Sequence, residues 1–120
     1  MSVLFIEYPK CTTCKKAKKW LDGHGVDYVD RDIKLDNPTA GELRAWHAAS
    51  GLDRKRFVNT SGMLYRQMGL KDKLPQMSDD EVFELLSTDG MLVKRPLIID
   101  EDRGIYLSGF REEEWEQALL

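Results

Sequence analysis

Cysteine is scarce in this sequence, and so is histidine: the 120 residues contain two of each. Two cysteines are too few for the disulfide framework of a small secreted domain. A structural zinc site normally uses four cysteine or histidine ligands, and no second C-x-x-C or H-x-x-x-H pair accompanies the first. We therefore expect no bound metal, and we look to redox chemistry for the role of the cysteines.

Long hydrophobic runs are also lacking. No apolar stretch approaches the roughly 20 residues that cross a membrane, and the N-terminus resembles a short strand rather than a signal peptide. Basic and acidic residues number 18 and 21, for a net charge of -3. That balance gives no reason to expect direct binding to nucleic acid or to a membrane. We expect a cytoplasmic protein with a single domain over residues 1–120.

The first third of the chain has the pattern of a β-α-β unit. Val3-Leu4-Phe5-Ile6 is a short apolar run, typical of a buried strand. Apolar residues then recur at helical spacing from about Thr12 to His24, and a second strand is predicted over Val26 to Ile33. Because the connection is a single helix, the two strands should be parallel.

The middle of the chain reads as an insert of helices over about residues 38–90. Thr39 with Glu42, and Ser78 with Glu81, have the spacing of capping boxes at helix starts. The first of these helices should end near Gly51, where a glycine can cap it. Between the two helices, residues 52–74 predict two short helical pieces joined by a turn.

The last quarter predicts a hairpin and a closing helix. Strand-like residues run from Pro96 to Asp100, a turn follows, and Ile105 to Leu107 returns as a second strand. A helix is expected from Phe110 to Leu119. The element order β-α-β, helical insert, β-β-α predicts an α/β fold with a four-stranded mixed sheet.

The sequence Cys11-Thr12-Thr13-Cys14 lies where the first strand leads into the first helix. Backbone N–H groups and the positive end of the helix dipole favour an anion there, and neighbouring lysines add positive charge. The spacing of three residues brings two cysteines within disulfide range on a helix. We predict that Cys11 is the nucleophile and that Cys14 resolves its adducts. The alternatives are two ordinary reduced thiols, and a lysine run that is only a solvated helix face.

Three segments together resemble the ArsC/Spx family: C-T-T-C-K-K-A-K-K-W-L-D, K-R-P-L-I-I-D and G-F-R-E-E-E-W. That family includes glutaredoxin-linked arsenate reductases and Spx-type regulators that bind RNA polymerase. The resemblance implies a thioredoxin-like fold and a cis proline, Pro96, beside the cysteine loop. It also implies that Arg95 binds an oxyanion. Because the helix start favours an anion, we predict that Thr12 and Thr13 bind the substrate together with Arg95 and Pro96. A surface ion pair is the alternative role for Arg95.

Departures from the reductase pattern predict weak or absent arsenate reduction. The reductases use two further arginines, and the matching positions here hold Asn59 and Gly109. Arg54, Arg56 and Arg111 are close in the sequence and are the candidates to replace them. The reductases also usually carry a lone cysteine in this loop, whereas Cys14 creates a dithiol.

Two functions follow from the resemblance. The first is an arsenate reductase-like thiol/disulfide oxidoreductase that binds no cofactor and takes electrons from glutathione, glutaredoxin or thioredoxin. The alternative is an Spx-like redox-sensing regulator that binds the RNA polymerase α subunit, with a C-x-x-C disulfide switch. Gly51 falls near the glycine that those regulators use for docking, although a helix cap explains a glycine there equally well. The end of the chain at Leu120, without the regulators' C-terminal extension, favours the oxidoreductase.

Overall fold

The structure contains a mixed sheet of four strands: β1 (Val3–Glu7), β2 (Tyr28–Asp32), β3 (Leu97–Asp100) and β4 (Ile105–Ser108). Their order across the sheet is β2-β1-β3-β4. β1 and β2 are parallel, while β1 with β3 and β3 with β4 are antiparallel. The predicted α/β fold with a mixed sheet is confirmed.

These assignments come from a computed structural model, which describes residues 2–120. The chain divides into two units. The sheet unit comprises residues 2–32 with Arg95–Leu120, and the helical unit is Ile33–Lys94. None of the helices in residues 2–120 has the length and hydrophobicity needed to cross a membrane.

In the sheet unit, α1 (Thr12–Gly23) and α6 (Glu112–Leu119) supply large side chains to one core. Aromatic rings dominate it: Trp20 and Trp115 meet edge to face at 5.8 Å between centroids, and Phe5 of β1 contacts Trp115 at 6.5 Å. Such pairs contribute about 0.5–1.5 kcal/mol each beyond the area they bury. The core thereby anchors both β1 and α1, which flank the cysteine loop. Its buried members are Val3, Phe5, Ala17, Trp20, Leu21, Ile98, Leu107 and Trp115.

In the helical unit, both predicted capping boxes are present. The Thr39 hydroxyl accepts from the N–H of Glu42 at the start of α2 (Ala40–Ser50), and Ser78 with Glu81 does the same for α5 (Asp79–Leu86). Gly51 ends α2 in the left-handed conformation with φ 69°, which a glycine adopts without steric cost.

The segment 52–74 differs from the prediction of two helical pieces. It contains a 3-10 turn (Arg54–Phe57) and the short helices α3 (Met63–Gln67) and α4 (Leu70–Lys73). Gly69, at φ 64°, separates α3 from α4 because that backbone conformation cannot continue a helix. Further 3-10 turns span Leu74–Gln76 and Gly90–Leu92.

Several predicted boundaries move inward, and glycine conformation explains two of them. β2 begins at Tyr28 rather than Val26, after a turn in which Gly25 has φ 65°. α6 begins at Glu112 rather than Phe110, because Gly109 at φ 78° turns the chain before it. β4 begins at Ile105 as predicted and extends one residue further, to Ser108. The order of the elements is as predicted.

Candidate redox site

Cys11 occupies the N-cap position of α1, at the end of the loop that leaves β1. Its backbone is extended, with φ -83° and ψ 124°, and its N–H donates to the carbonyl oxygen of Tyr8 at 2.9 Å. Its Sγ accepts from the backbone N–H of Cys14 at 3.4 Å. Serine, threonine or aspartate commonly fills this capping role. A sulfur atom here thus meets a backbone amide and the positive end of the helix dipole.

Cys14 lies one turn further along α1 and is fully buried, whereas Cys11 is partly exposed. Burial is the main reason that the pKa of the Cys14 thiol is raised to about 12; neighbouring Cys11 and Glu7 add to the rise, and a backbone hydrogen bond with Tyr8 opposes it. The two cysteines are 3.2 Å apart, and both are free thiols. A disulfide between them stays a prediction.

Arg95 and Pro96 lie at the start of β3. The Arg95–Pro96 peptide bond is cis, as the resemblance implied. The Arg95 guanidinium lies over the ring of Tyr8, 5.4 Å from its centroid, which is within cation–π range. Tyr8 therefore contacts Arg95 through its ring and Cys11 through its backbone. This places Arg95 at the cysteine loop, while its binding of an oxyanion stays a prediction.

Thr12 and Thr13 are the first two residues of α1, and both are exposed. Backbone N–H groups in a first helical turn have no partner within the helix. Those two amides thus point out of the N-terminal end of α1, which Cys11 caps. The structure brings Cys11, Cys14, Thr12 and Thr13 together with Arg95 around one loop, and their roles in binding remain predictions.

The lysine run does not act as one positive cluster. Lys18 pairs with Asp30 of β2 at 2.9 Å, and this ion pair raises the pKa of Lys18. Lys16 and Lys19 line a separate open groove with Trp20 and His24. The expectation that all the lysines add charge at the cysteines is therefore only partly met, because α1 directs them to several sides.

Glu7, the last residue of β1, was not identified from the sequence. Only 4% of its surface is exposed. Burial, followed by a hydrogen bond and charge repulsion from Asp30, raises its pKa to about 7. One signal was available: the glutamate directly follows the buried run of β1 and precedes the cysteine loop. Among residues 2–120, no group of three or more His, Cys, Asp and Glu side chains is placed to hold a metal ion.

The positions that depart from the reductase pattern have local structural roles. Asn59 donates from Nδ2 to the carbonyl oxygen of Met91 at 3.1 Å. Gly109 has a left-handed backbone, and its carbonyl oxygen accepts from Nε1 of Trp115 at 3.0 Å. Arg54 uses its guanidinium to hold its own unit together, donating to the carbonyl oxygens of Leu74 and Met77 and to Asp79. Arg54 is therefore already engaged and is a poor replacement for a missing arginine.

Two proteins of known sequence are similar to this chain over nearly its whole length. The uncharacterized protein YusI of Bacillus subtilis is 50% identical over 117 residues, covering 98% of both chains. The global transcriptional regulator Spx 2 of Bacillus cereus is 26% identical, covering 98% of this chain and 86% of its own.

Two solved structures are also similar to this chain in sequence and in fold. A putative ArsC family related protein from Bacteroides fragilis is 50% identical and superposes with a TM-score of 0.92, covering 98% of each chain. A possible arsenate reductase from Streptococcus mutans is 49% identical with a TM-score of 0.86, covering 95% of this chain and 97% of its own. The sequence model of the ArsC family matches residues 6–118 of this chain. The chain therefore belongs to the ArsC family.

Proposed function

We propose that this protein is a thiol/disulfide oxidoreductase in which Cys11 attacks and Cys14 resolves. One observation carries the proposal: a partly exposed cysteine caps a helix, and a buried cysteine lies 3.2 Å from it. An accessible thiol can meet a substrate, while a buried thiol is shielded from outside reagents and reserved for its neighbour.

The reaction has two exchange steps. The Cys11 thiolate attacks a substrate disulfide, forms a mixed disulfide and releases the first substrate thiolate, which takes up a proton from water. Cys14 then loses its proton and attacks the Sγ of Cys11, which forms the Cys11–Cys14 disulfide and releases the second thiolate. Two electrons pass from the dithiol to the substrate. Glutathione, glutaredoxin or thioredoxin would return them by the reverse exchange.

Arsenate is expected to be a poor substrate. Stabilising a multiply charged oxyanion and its thiol adduct normally takes several preorganised positive groups, and the loss of one can cost about a hundredfold or more in rate. Arg95 lies at the cysteine loop, whereas Asn59 and Gly109 carry no charge and Arg54 is engaged elsewhere. A coupled NADPH assay with glutathione, glutaredoxin and arsenate should thus give a turnover below about 1 per second. Faster turnover that Arg95→Ala abolishes would contradict this expectation.

The proposal is tested by disulfide turnover with two electron-donor systems. Reduction of a small disulfide, such as hydroxyethyl disulfide, is followed as NADPH consumption with glutathione and glutaredoxin, or with thioredoxin and its reductase. Cys11→Ser should abolish activity. Cys14→Ser should retain only the turnover in which glutathione itself attacks the mixed disulfide on Cys11. Circular dichroism checks that both variants fold. Activity that survives Cys11→Ser would overturn the proposal.

A second candidate is a redox-sensing regulator that binds RNA polymerase. It is favoured by the relatives named as Spx regulators, which match across most of this chain. Gly51, at the exposed end of α2, falls near the docking glycine of those regulators, and its left-handed backbone also explains its presence as a cap. Retention of the chain on an immobilised RNA polymerase α subunit, in one redox state and not the other, would support this function. Equal absence of binding in both states would exclude it.

A further inference from the structure

The resolving step requires Cys14 to lose a proton in a place that bulk water does not reach. Cys14 is fully buried, and its thiol strongly favours the protonated form. A thiol is a far weaker nucleophile than its thiolate. A protein group that takes the proton would therefore be needed for Cys14 to attack.

Glu7 is placed to meet that need. It ends the strand that leads into the cysteine loop, and its side chain is almost wholly buried. It lines a cavity of about 410 Å³ together with Lys18 of α1 and Asp30 and Asp32 of β2. Cys14 and Lys18 are four residues apart on α1, so they project from the same side of the helix. Val3, Phe5 and Glu7 alternate along β1 and share the face that packs against Ala17 of α1. Cys14 precedes Ala17 by three residues on the same buried side of that helix.

We propose that Glu7 accepts the proton of Cys14 as Cys14 attacks the mixed disulfide on Cys11. This inference rests on the proposed oxidoreductase function and identifies its proton acceptor. The Cys14 S–H bond breaks and the proton passes to the Glu7 carboxylate, directly or through cavity water. The Cys14–Cys11 S–S bond forms, and the bond between Cys11 and the substrate sulfur breaks. The substrate leaves as a thiolate, so electrons and protons balance.

The charges around Glu7 suit a group that gains and loses a proton near neutral pH. From β2, Asp30 and Asp32 face it and raise its pKa, and from α1, Lys18 lowers it. Lys15 lines the same cavity, which opens to solvent and provides an exit for the proton. With a pKa of about 7, Glu7 is a carboxylate in about half of the molecules at pH 7. The Cys14 thiol holds its proton more strongly than Glu7 does, so the proton passes to Glu7 as the S–S bond forms.

A merely electrostatic role for Glu7 predicts the opposite result. Its negative charge contributes to the raised pKa of Cys14. If that were its only effect, removing the charge would ease ionisation of Cys14 and accelerate the resolving step. A proton acceptor, when removed, slows the same step. The sign of the change in rate therefore distinguishes the two roles.

The test uses 5,5'-dithiobis(2-nitrobenzoate) in stopped flow with the fully reduced chain. Attack by Cys11 releases one coloured thiolate, and attack by Cys14 on the resulting mixed disulfide releases a second. Glu7→Gln should slow the second release by about tenfold or more at pH 7.5 and remove the inflection near pH 7 from its pH profile. The first release should stay within about twofold of wild type. Glu116→Gln, the same change at an exposed position of α6, is the matched control.

The outcomes distinguish failure of the role of Glu7 from failure of the proposed oxidoreductase function. A second release in Glu7→Gln that is as fast as in Glu116→Gln, or faster, overturns the role of Glu7 and leaves the proposed function intact. A wild type that never gives a second release contradicts the proposed function, and this inference falls with it. Should Glu7→Gln fail to fold, Asp30→Asn serves instead. Loss of the hydrogen bond and charge of Asp30 should move the inflection to lower pH, and an unmoved inflection would overturn the assignment.

Discussion

Cys14 should be almost inert toward alkylating reagents while the protein is folded. The variant that shows this is Cys11→Ser, which leaves Cys14 as the one thiol in the sequence. This change removes the contribution of Cys11 to the raised pKa of Cys14. Burial, the largest cause of that rise, is unchanged, so most of the protection should persist.

The size of the effect follows from the thiolate fraction. An ordinary thiol with a pKa near 8.5 is about one quarter thiolate at pH 8. A thiol with a pKa of about 12 is thiolate in about one molecule in ten thousand at that pH. The ratio is about two thousandfold before the loss of direct access to the reagent is counted. Allowing for the missing Cys11, we expect Cys14 to react at least about a hundredfold more slowly than an ordinary thiol.

The assay is iodoacetamide alkylation followed by mass spectrometry, with the same variant unfolded in urea as the reference. Between pH 7 and pH 9 the rate in the folded state should rise about tenfold per pH unit without levelling, because the midpoint lies far above this range. Cys14→Ser, in which the accessible Cys11 remains, should be alkylated much faster. A folded Cys11→Ser variant that reacts within threefold of its unfolded form would show that burial does not protect Cys14.

Three further predictions concern stability, measured by urea unfolding. The folded-state pKa of Glu7, about 7, lies above its ordinary value of 4.5, so the stabilisation by its protonated form is complete below pH 4.5 and is lost as the pH rises through 7. Glu7→Gln should therefore match wild type near pH 4.5 and exceed it by about 1–3 kcal/mol at pH 8; equal stability at pH 8 would contradict this. Gly90→Ala should cost about 3 kcal/mol or more, because a Cβ there would clash with the carbonyl oxygen of Ile33; a loss under 1 kcal/mol would count against that close approach. Thr39→Ala removes the hydrogen bond from the N–H of Glu42 and should cost about 1 kcal/mol, with no loss as the contrary result.

The sheet and most helix starts could be predicted because their signals are local. The apolar run of β1 and the helical spacing of α1 are properties of neighbouring residues, and so are the capping boxes at Thr39 and Ser78. The region around Gly69 could not be resolved in the same way. Whether a glycine adopts a left-handed backbone depends on what packs on both sides of it, and that choice divides one expected helical piece into α3 and α4.

The site residues that belong to a sequence motif could be predicted. Those that tertiary packing brings to the site could not. Cys11 and Cys14 follow from their spacing at a strand-to-helix junction. A glutamate at a strand end is usually exposed, so the burial of Glu7 appears only once β2 and α1 are in place. The same holds for Lys18, whose pairing with Asp30 joins residues twelve positions apart. Tyr8, which links the cysteine loop to Arg95, carries no sequence signal of that role.

If Cys11 attacks and Cys14 resolves, oxidised glutathione should trap different products in the wild type and in Cys14→Ser. The reduced wild type and Cys14→Ser are each exposed to oxidised glutathione, quenched by alkylation and weighed by mass spectrometry. We expect the wild type to form the Cys11–Cys14 disulfide, to lose both alkylatable thiols and to recover them with dithiothreitol. Cys14→Ser should instead accumulate a stable glutathione adduct on Cys11. The same glutathione adduct in wild type as in Cys14→Ser, with Cys14 still free, would show that Cys14 does not resolve adducts of Cys11.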